Sequence, residues 1–230
     1  LLKDTGYVPG FLKLRLENYS FDTLKNTVGE TFWVRGTEGS SGLGSLKINN
    51  PDVLAQWITM NPDVSEFIAT EYLPGRNMAC KLLYFNNKLL ASACAERVKY
   101  IMAKIAPSGI TGNTSFGRLL NEPGLVDIST DALNIISKKT GAGLNGIFTV
   151  DFKEDMHGKP KITEVNIRHV AFTSSIAAGG ANLPLDTLRL LFNQENSNSE
   201  TVHYTFREQY IFLRDVDAYP ILIRESDLLK

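Results

Sequence analysis

"VDFKEDMHGKPKITEVNIR", residues Val150–Arg168, sets two short apolar runs on either side of a turn at "MHGK". A turn there predicts antiparallel neighbouring strands. Asp151 falls near the end of the first run, Glu164 and Asn166 near the end of the second. Glu164 and Asn166 are two apart, so they project from one strand face, with Asp151 able to stand opposite. Two carboxylates and an amide oxygen form a hard, all-oxygen donor set. It suits Mg²⁺ or Mn²⁺ shared with phosphate oxygens, and it does not suit Zn²⁺. Arg168, two residues on, is expected on the same face, where a guanidinium stabilises charge on a transferring phosphoryl group. Taken singly, each is an ordinary polar residue of a solvated strand. Taken together they stand out, because Asp and Asn are poor strand residues and here interrupt apolar runs.

A second stretch bears on the same chemistry. "VRGTEGSSGLG", Val34–Gly44, has four glycines and three small hydroxyl residues between the strand-like "TFWVR" and "SLKI". Two structures fit it: a plain hairpin tip, or a flap whose backbone N–H groups close over phosphate. A P-loop is excluded because no Gly-Lys-Ser/Thr follows the glycines. A protein kinase is excluded because there is no catalytic-loop His-Arg-Asp and "VDF" continues with Lys153, not Gly.

The remaining pattern is mixed. "FLKLRLENY" starts as a strand. Ser20 caps a helix with Phe21, Leu24 and Val28 on one face. Asn50 caps another, with Pro51 at its first position. Asn86-Asn87 separates two apolar runs as a tight hairpin turn. "APSGITGNTSFGR" reads as a Gly/Ser/Thr-rich loop, and "LVDISTDALNIISKKTG" as a helix ended by Gly141. "PLDTLRLLF" is a last helix, and the residues beyond the polar "NQENSNSE" are short strands or a tail packing back. The order is α+β with many hairpins and lacks regular βαβ alternation.

Composition narrows the partners. The 230 residues carry a net charge of -1, with 43% hydrophobic and 21% charged residues, as in a soluble globular chain. That balance gives no support to nucleic acid or an anionic membrane as partner. No apolar run approaches the roughly 18–20 residues of a membrane span. Cys80 and Cys94 are too few for a disulfide framework and lack zinc-ligand spacing, so they read as reduced thiols of a cytoplasmic protein. "LLKDTGYVPGF" has no Met and reads as the end of a helix stopped by Gly6. Residue 1 is therefore expected not to be the natural start.

In order along the chain, a glycine flap after a strand, then "EYLPG", then a helix, then "VDF…EVN.R" resembles the ATP-grasp superfamily, most of all the synthetase halves of the carbamoyl-phosphate synthase large subunit. The resemblance covers roughly Gly6 to Phe192. It implies two α+β subdomains with nucleotide between their antiparallel sheets. Residues 10–72 would form the small lid subdomain with the flap, 73–195 the large subdomain with the metal site, and 196–230 a C-terminal tail. A preceding domain and a further basic phosphate ligand would lie upstream of Leu1.

The resemblance also assigns roles. Arg35 would hold nucleotide phosphates, and Gly39, Ser40, Ser41, Gly42 and Gly44 would form the flap. Glu71 and Leu73 would meet adenine. Asn77 stands where the family often has Glu for the ribose hydroxyls, and brings no charge. Asp151, Glu164 and Asn166 would ligate Mg²⁺ (or Mn²⁺), with Arg168 beside the transferring phosphate. Arg97 and Lys99 lie on a strand facing the expected cleft and could bind an acidic substrate; a solvated strand face explains them equally well. His157 is expected in an exposed turn. His169 should alternate away from the metal face, which favours a structural role.

The function so implied is an ATP- and Mg-dependent ligase. It would activate a carboxylate or carbamate-like acid as an acyl phosphate for attack by an amine or other nucleophile. The partners would be these small molecules, with a homo-oligomer possible. The alternative is a nucleotide-binding regulatory or scaffold module without turnover.

Overall fold

The computed structural model describes residues 1–37, 45–101, 113–192, 200–215, 219 and 221–228. The flap glycines and serines, Gly39, Ser40, Ser41, Gly42 and Gly44, lie outside the described residues. Two compact units emerge. One is built on Pro9–Pro74, the other on Leu1–Val8, Gly75–Lys99 and the described residues from Asn113 onward.

The smaller unit is one sheet backed by two helices. Strands β1 (Phe11–Arg15), β2 (Phe32–Gly36), β3 (Leu46–Ile48) and β4 (Glu66–Glu71) pair antiparallel in the order β1-β4-β2-β3. Helix α1 (Phe21–Val28) starts where the Ser20 hydroxyl accepts from the Thr23 N–H, and α2 (Pro51–Met60) where Asn50 accepts from Val53 at 2.9 Å. Each cap satisfies a first-turn N–H that the helix cannot. Strand alternation sends Phe32 and Val34 inward, where they meet Leu24, Leu54, Trp57 and Phe67. Each such large side chain contributes about 1.5–3 kcal/mol on burial. The same alternation leaves Arg35 exposed.

The larger unit is built on a sheet with helices on both faces. Its strands are β5 (Asn77–Phe85), β6 (Lys88–Tyr100), β7 (Thr114–Leu120), β8 (Gly146–Glu154), β9 (Pro160–Asn166), β10 (Val202–His203), β11 (Tyr210–Leu213) and β12 (Ile221–Arg224). Among the described residues the order is β12-β11-β7-β6-β5-β8-β9, with β10 pairing on β6. The β5–β6 turn is made by Asn86 and Asn87 at φ 49° and 65°, left-handed values that Asn tolerates and a two-residue hairpin requires. Helix α3 (Pro123–Thr140), closed by Gly141 at φ 72°, covers one face over Met78, Cys80, Leu82, Val150, Phe152 and Ile162. Helices α4 (Thr173–Ala178) and α5 (Leu183–Phe192) pack on the other, over Ala79, Ala93, Ala95 and Leu83.

One feature departs from the sequence reading. Part of the Gly/Ser/Thr-rich stretch expected as loop is strand β7, between β6 and β11. Its composition hid it. Gly117 sits where a Cβ would overlap the Phe212 ring and the Glu96 carbonyl, so the strand needs a glycine for packing. The described residues beyond 199 supply strands of the large sheet, and Phe206, Ile211 and Phe212 join its core.

Candidate functional site

The hairpin β8–β9 is closed by Asp155, whose carboxylate accepts from the backbone N–H groups of His157 and Lys159, both at 2.9 Å, with Gly158 at φ 75°. His157 is exposed there. Above the turn, Phe152 pairs with Ile162, but the next pair is Asp151 with Glu164. Thr163 is thus an extra residue, a β-bulge, and its hydroxyl donates to the Asp151 carbonyl at 3.2 Å.

The bulge corrects the face argument made from sequence. Ile162 and Val165, three apart, both pack on the α3 face. Simple alternation from Ile162 would have sent Glu164 and Asn166 there as well. The inserted residue turns them to the face of Asp151, and Asn166 comes opposite Thr149.

On that face the polar side chains form a band across four strands. Arg97 on β6 reaches over Ala79 on β5 and donates through Nη2 to Asp151 on β8. The Asn166 amide donates to the other Asp151 oxygen at 3.4 Å. Asp151 and Arg97 are deeply placed, with side chains 10% and 15% exposed. Burial pushes the Asp151 carboxyl up to about 6; Arg97 pulls it down, Glu164 pushes it up, and Lys81 and Arg168 pull it down. Asn77 pairs with Arg97 on one side and Lys153 on the other, and accepts from Lys153 at 3.5 Å.

Lys81 was missed by sequence reasoning. It is fully buried on β5, opposite Ala93 and Thr149, and donates to the Thr173 hydroxyl at 2.5 Å. Its Nζ lies 4.8 Å from the centre of the Phe172 ring, and the Arg97 guanidinium lies 4.9 Å from the same ring. Burial lowers its pKa to about 7; Arg97 adds to the fall, Asp151 opposes it, and Arg168 adds again. One signal was available: a single Lys inside the apolar run "MACKLLYF" is a charge with no route to solvent unless the sheet is one-sided.

Arg168 stands differently from expectation. Strand β9 ends at Asn166, so alternation no longer governs residue 168. The Thr149 hydroxyl holds the Arg168 carbonyl at 3.2 Å, and the exposed guanidinium donates to the His169 carbonyl at 3.2 Å. Its charge still reaches Asp151 and Lys81. The Nδ1 of His169 is buried without a partner among the described residues, and burial followed by the Lys81 charge lowers its pKa.

The other sequence-picked residues are placed as follows. Glu71 ends β4, and its carboxylate accepts from the Gly10 N–H at 3.2 Å. Leu73 is buried. Lys99 is exposed at the edge of a hollow lined by Ser115, Phe116, Arg214 and Asp215, apart from the Arg97–Asp151 pair.

The donor set fits a hard divalent cation. Among the described residues no three of His, Cys, Asp and Glu gather in a way that could hold a metal. Asp151 and Glu164 offer two carboxylates on that face and Asn166 now turns its amide N–H to Asp151, so a cation there would need the amide turned over and further oxygens from outside the protein, as Mg²⁺ takes.

No protein-family model and no curated protein matches the chain. Solved structures do. N5-carboxyaminoimidazole synthetase from Staphylococcus aureus, complexed with ADP, matches over 93% of this chain and 54% of its own, with TM-score 0.64 and 19% identity. Phosphoribosylamine–glycine ligase from Thermotoga maritima matches over 96% of this chain and 59% of its own, with TM-score 0.63 and 14% identity. D-alanine–D-alanine ligase from Bacillus anthracis matches over 84% and 66%, with TM-score 0.54 and 19% identity. The chain spans about half the length of the first structures it matches. At these identities the likeness is one of fold: the mixed α+β architecture is shared with these synthetase and ligase structures.

Proposed function

We propose that this chain is the nucleotide-binding part of an ATP- and Mg-dependent ligase. It would activate a carboxylate or carbamate-like acid. The acid oxygen attacks the γ-phosphorus of ATP, ADP leaves, and an amine or other nucleophile then displaces phosphate from the acyl phosphate. The observation that carries the reading is the gathering of Asp151, Glu164 and Asn166 on one sheet face, in a fold shared with an ADP-bound synthetase. The finer likeness, to the carbamoyl-phosphate synthase halves, rests on the motif residues alone.

In this reading Asp151, Glu164 and the Asn166 oxygen hold the metal, whose chemistry is to polarise and neutralise the β- and γ-phosphates. Arg35 and the glycine stretch Gly39–Gly44 contact phosphates, Glu71 and Leu73 the adenine, and Asn77 the ribose. Arg168 meets charge that develops on the transferring phosphoryl group. Arg97 and Lys99 are the candidate contacts for the acid. The protein would be cytoplasmic; no helix among the described residues is long and apolar enough to cross a membrane.

Two observations favour a second reading, a nucleotide-binding module without turnover. Asp151 is engaged by Arg97, and Asn77 brings no charge to the ribose position. A screen of small acids for acid-dependent ADP release by the full-length protein separates the two. Release with any acid supports the ligase; nucleotide binding with no release from any acid–amine combination supports the module.

A further inference from the structure

The Arg97–Asp151 pair occupies the carboxylate that the proposed cation needs. Asp151 spends one oxygen on Arg97 and the other on Asn166. Arg97 therefore competes directly with a cation for the Asp151 carboxylate. Among the described residues Arg97 has Asp151 as its one carboxylate partner: Nη2 is on Asp151, Nε is buried without an acceptor, and the guanidinium rests near the Phe172 ring. A guanidinium does not lose its proton at accessible pH. Three cationic side chains, Lys81, Arg97 and Arg168, already act on the Asp151 carboxylate, with Glu164 the other acid in reach. A divalent cation taking over Asp151 and Glu164 leaves Arg97 among like charges, which an added anion relieves.

We infer that Arg97 holds the cation's place on Asp151 and is released when a divalent cation binds, so that its guanidinium becomes a receptor for an anionic group only in the metal-loaded protein. This rests on the metal assignment proposed above and adds an order of events to it: cation first, anion second. Coupling of this kind is a differential affinity between two arrangements of one side chain.

The test uses the full chain without nucleotide. Mn²⁺ binding is followed by electron paramagnetic resonance in wild type, Arg97→Gln, Arg97→Lys and Glu164→Ala. Arg97→Gln should bind Mn²⁺ about tenfold or more tightly than wild type, since removing the competing charge pair is worth at least about one decade. Arg97→Lys should fall between them, and Glu164→Ala should abolish binding. In parallel, the wild-type Arg97 Nε–H resonance, assigned by its loss in Arg97→Lys, should shift on adding Mg²⁺. Inorganic phosphate should perturb that resonance only when Mg²⁺ is present. The resonance alone decides the matter if Arg97→Gln does not fold. Glu164-dependent Mn²⁺ binding that Arg97→Gln leaves unchanged, or a phosphate effect equal with and without Mg²⁺, overturns the coupling and leaves the metal assignment standing. Absence of Glu164-dependent Mn²⁺ binding in every variant overturns both.

Discussion

Glu164 stands directly opposite Asp151 across β8 and β9, and the bulge at Thr163 puts it there. If Thr163 were paired in regular alternation instead of bulged, the two carboxylates would lie on opposite faces of the sheet, Glu164 against the α3 core. Bulges beside functional sites often re-aim a side chain in this way.

Deleting Thr163 should straighten the strand and keep the site. The shortened strand pairs in regular register, Ile162 with Phe152 and Glu164 with Asp151, so that plain alternation now puts Glu164 on the face of Asp151. The expected result is retained Mn²⁺ binding, read by paramagnetic resonance, with circular dichroism showing the sheet intact. Loss of Mn²⁺ binding in a folded deletion variant means that this register does not aim Glu164.

Much of the fold was legible because its signals are local. Ser20, Asn50, Asn86-Asn87 and Gly141 each do what their chemistry prescribes, as a cap, a turn or a helix stop. Strand β7 was not legible. Its Gly117 answers to Phe212 and Glu96, residues far apart in the chain, and composition alone made it look like loop. The site was half legible. The residue types of Asp151, Glu164 and Asn166 announced oxygen ligation, yet the alternation argument reached the right face only because a bulge the sequence does not announce corrects the parity. Alternation does not extend to Arg168, where the strand has already ended, though its charge still reaches Asp151. Lys81 and the Arg97–Asp151 pair depend on which strands are neighbours, which is tertiary information.

Lys81 should make stability depend on pH. Its native pKa is lowered to about 7, whereas the unfolded chain keeps an ordinary lysine. Above that value the unfolded state binds more protons than the native state, so stability rises with pH from about 7 toward about 10. Between about pH 7 and pH 8.5, before thiols and tyrosines intervene, the gain should be about 1–2 kcal/mol. Urea unfolding at the two pH values should show the rise in wild type and a flat response in Lys81→Met. An equal rise in both proteins would assign it to other groups.

Gly117→Ala is expected to destabilise the larger unit. The new methyl meets the Phe212 ring and the Glu96 carbonyl, and overpacking of this kind costs about 1–3 kcal/mol. A denaturant midpoint unchanged from wild type would show that β7 and β11 can separate without penalty.

Arg168 should behave as a catalytic residue once the acid substrate is known. Its guanidinium is exposed and, among the described residues, donates to the His169 carbonyl, so its loss removes little packing. Arg168→Ala should lower turnover by roughly 10²–10³-fold at saturating ATP, as for loss of one well-placed electrostatic donor. Arg168→Lys should recover little, since an ammonium lacks the planar two-pronged contact. Near-normal turnover in the Ala variant, with weakened ATP binding, would make Arg168 a ground-state ligand.

The central claim is that Asp151, Glu164 and Asn166 together hold a divalent cation that carries nucleotide. Isothermal titration of ATP into the wild-type protein and Glu164→Ala, each with and without Mg²⁺, tests it most directly. Glu164 is exposed, so its truncation removes a ligand without opening the core. The account predicts Mg²⁺-dependent ATP binding in wild type and none in Glu164→Ala, with the variant's circular dichroism and melting curve unchanged. ATP binding of equal strength in the two proteins, or binding indifferent to Mg²⁺, would contradict it.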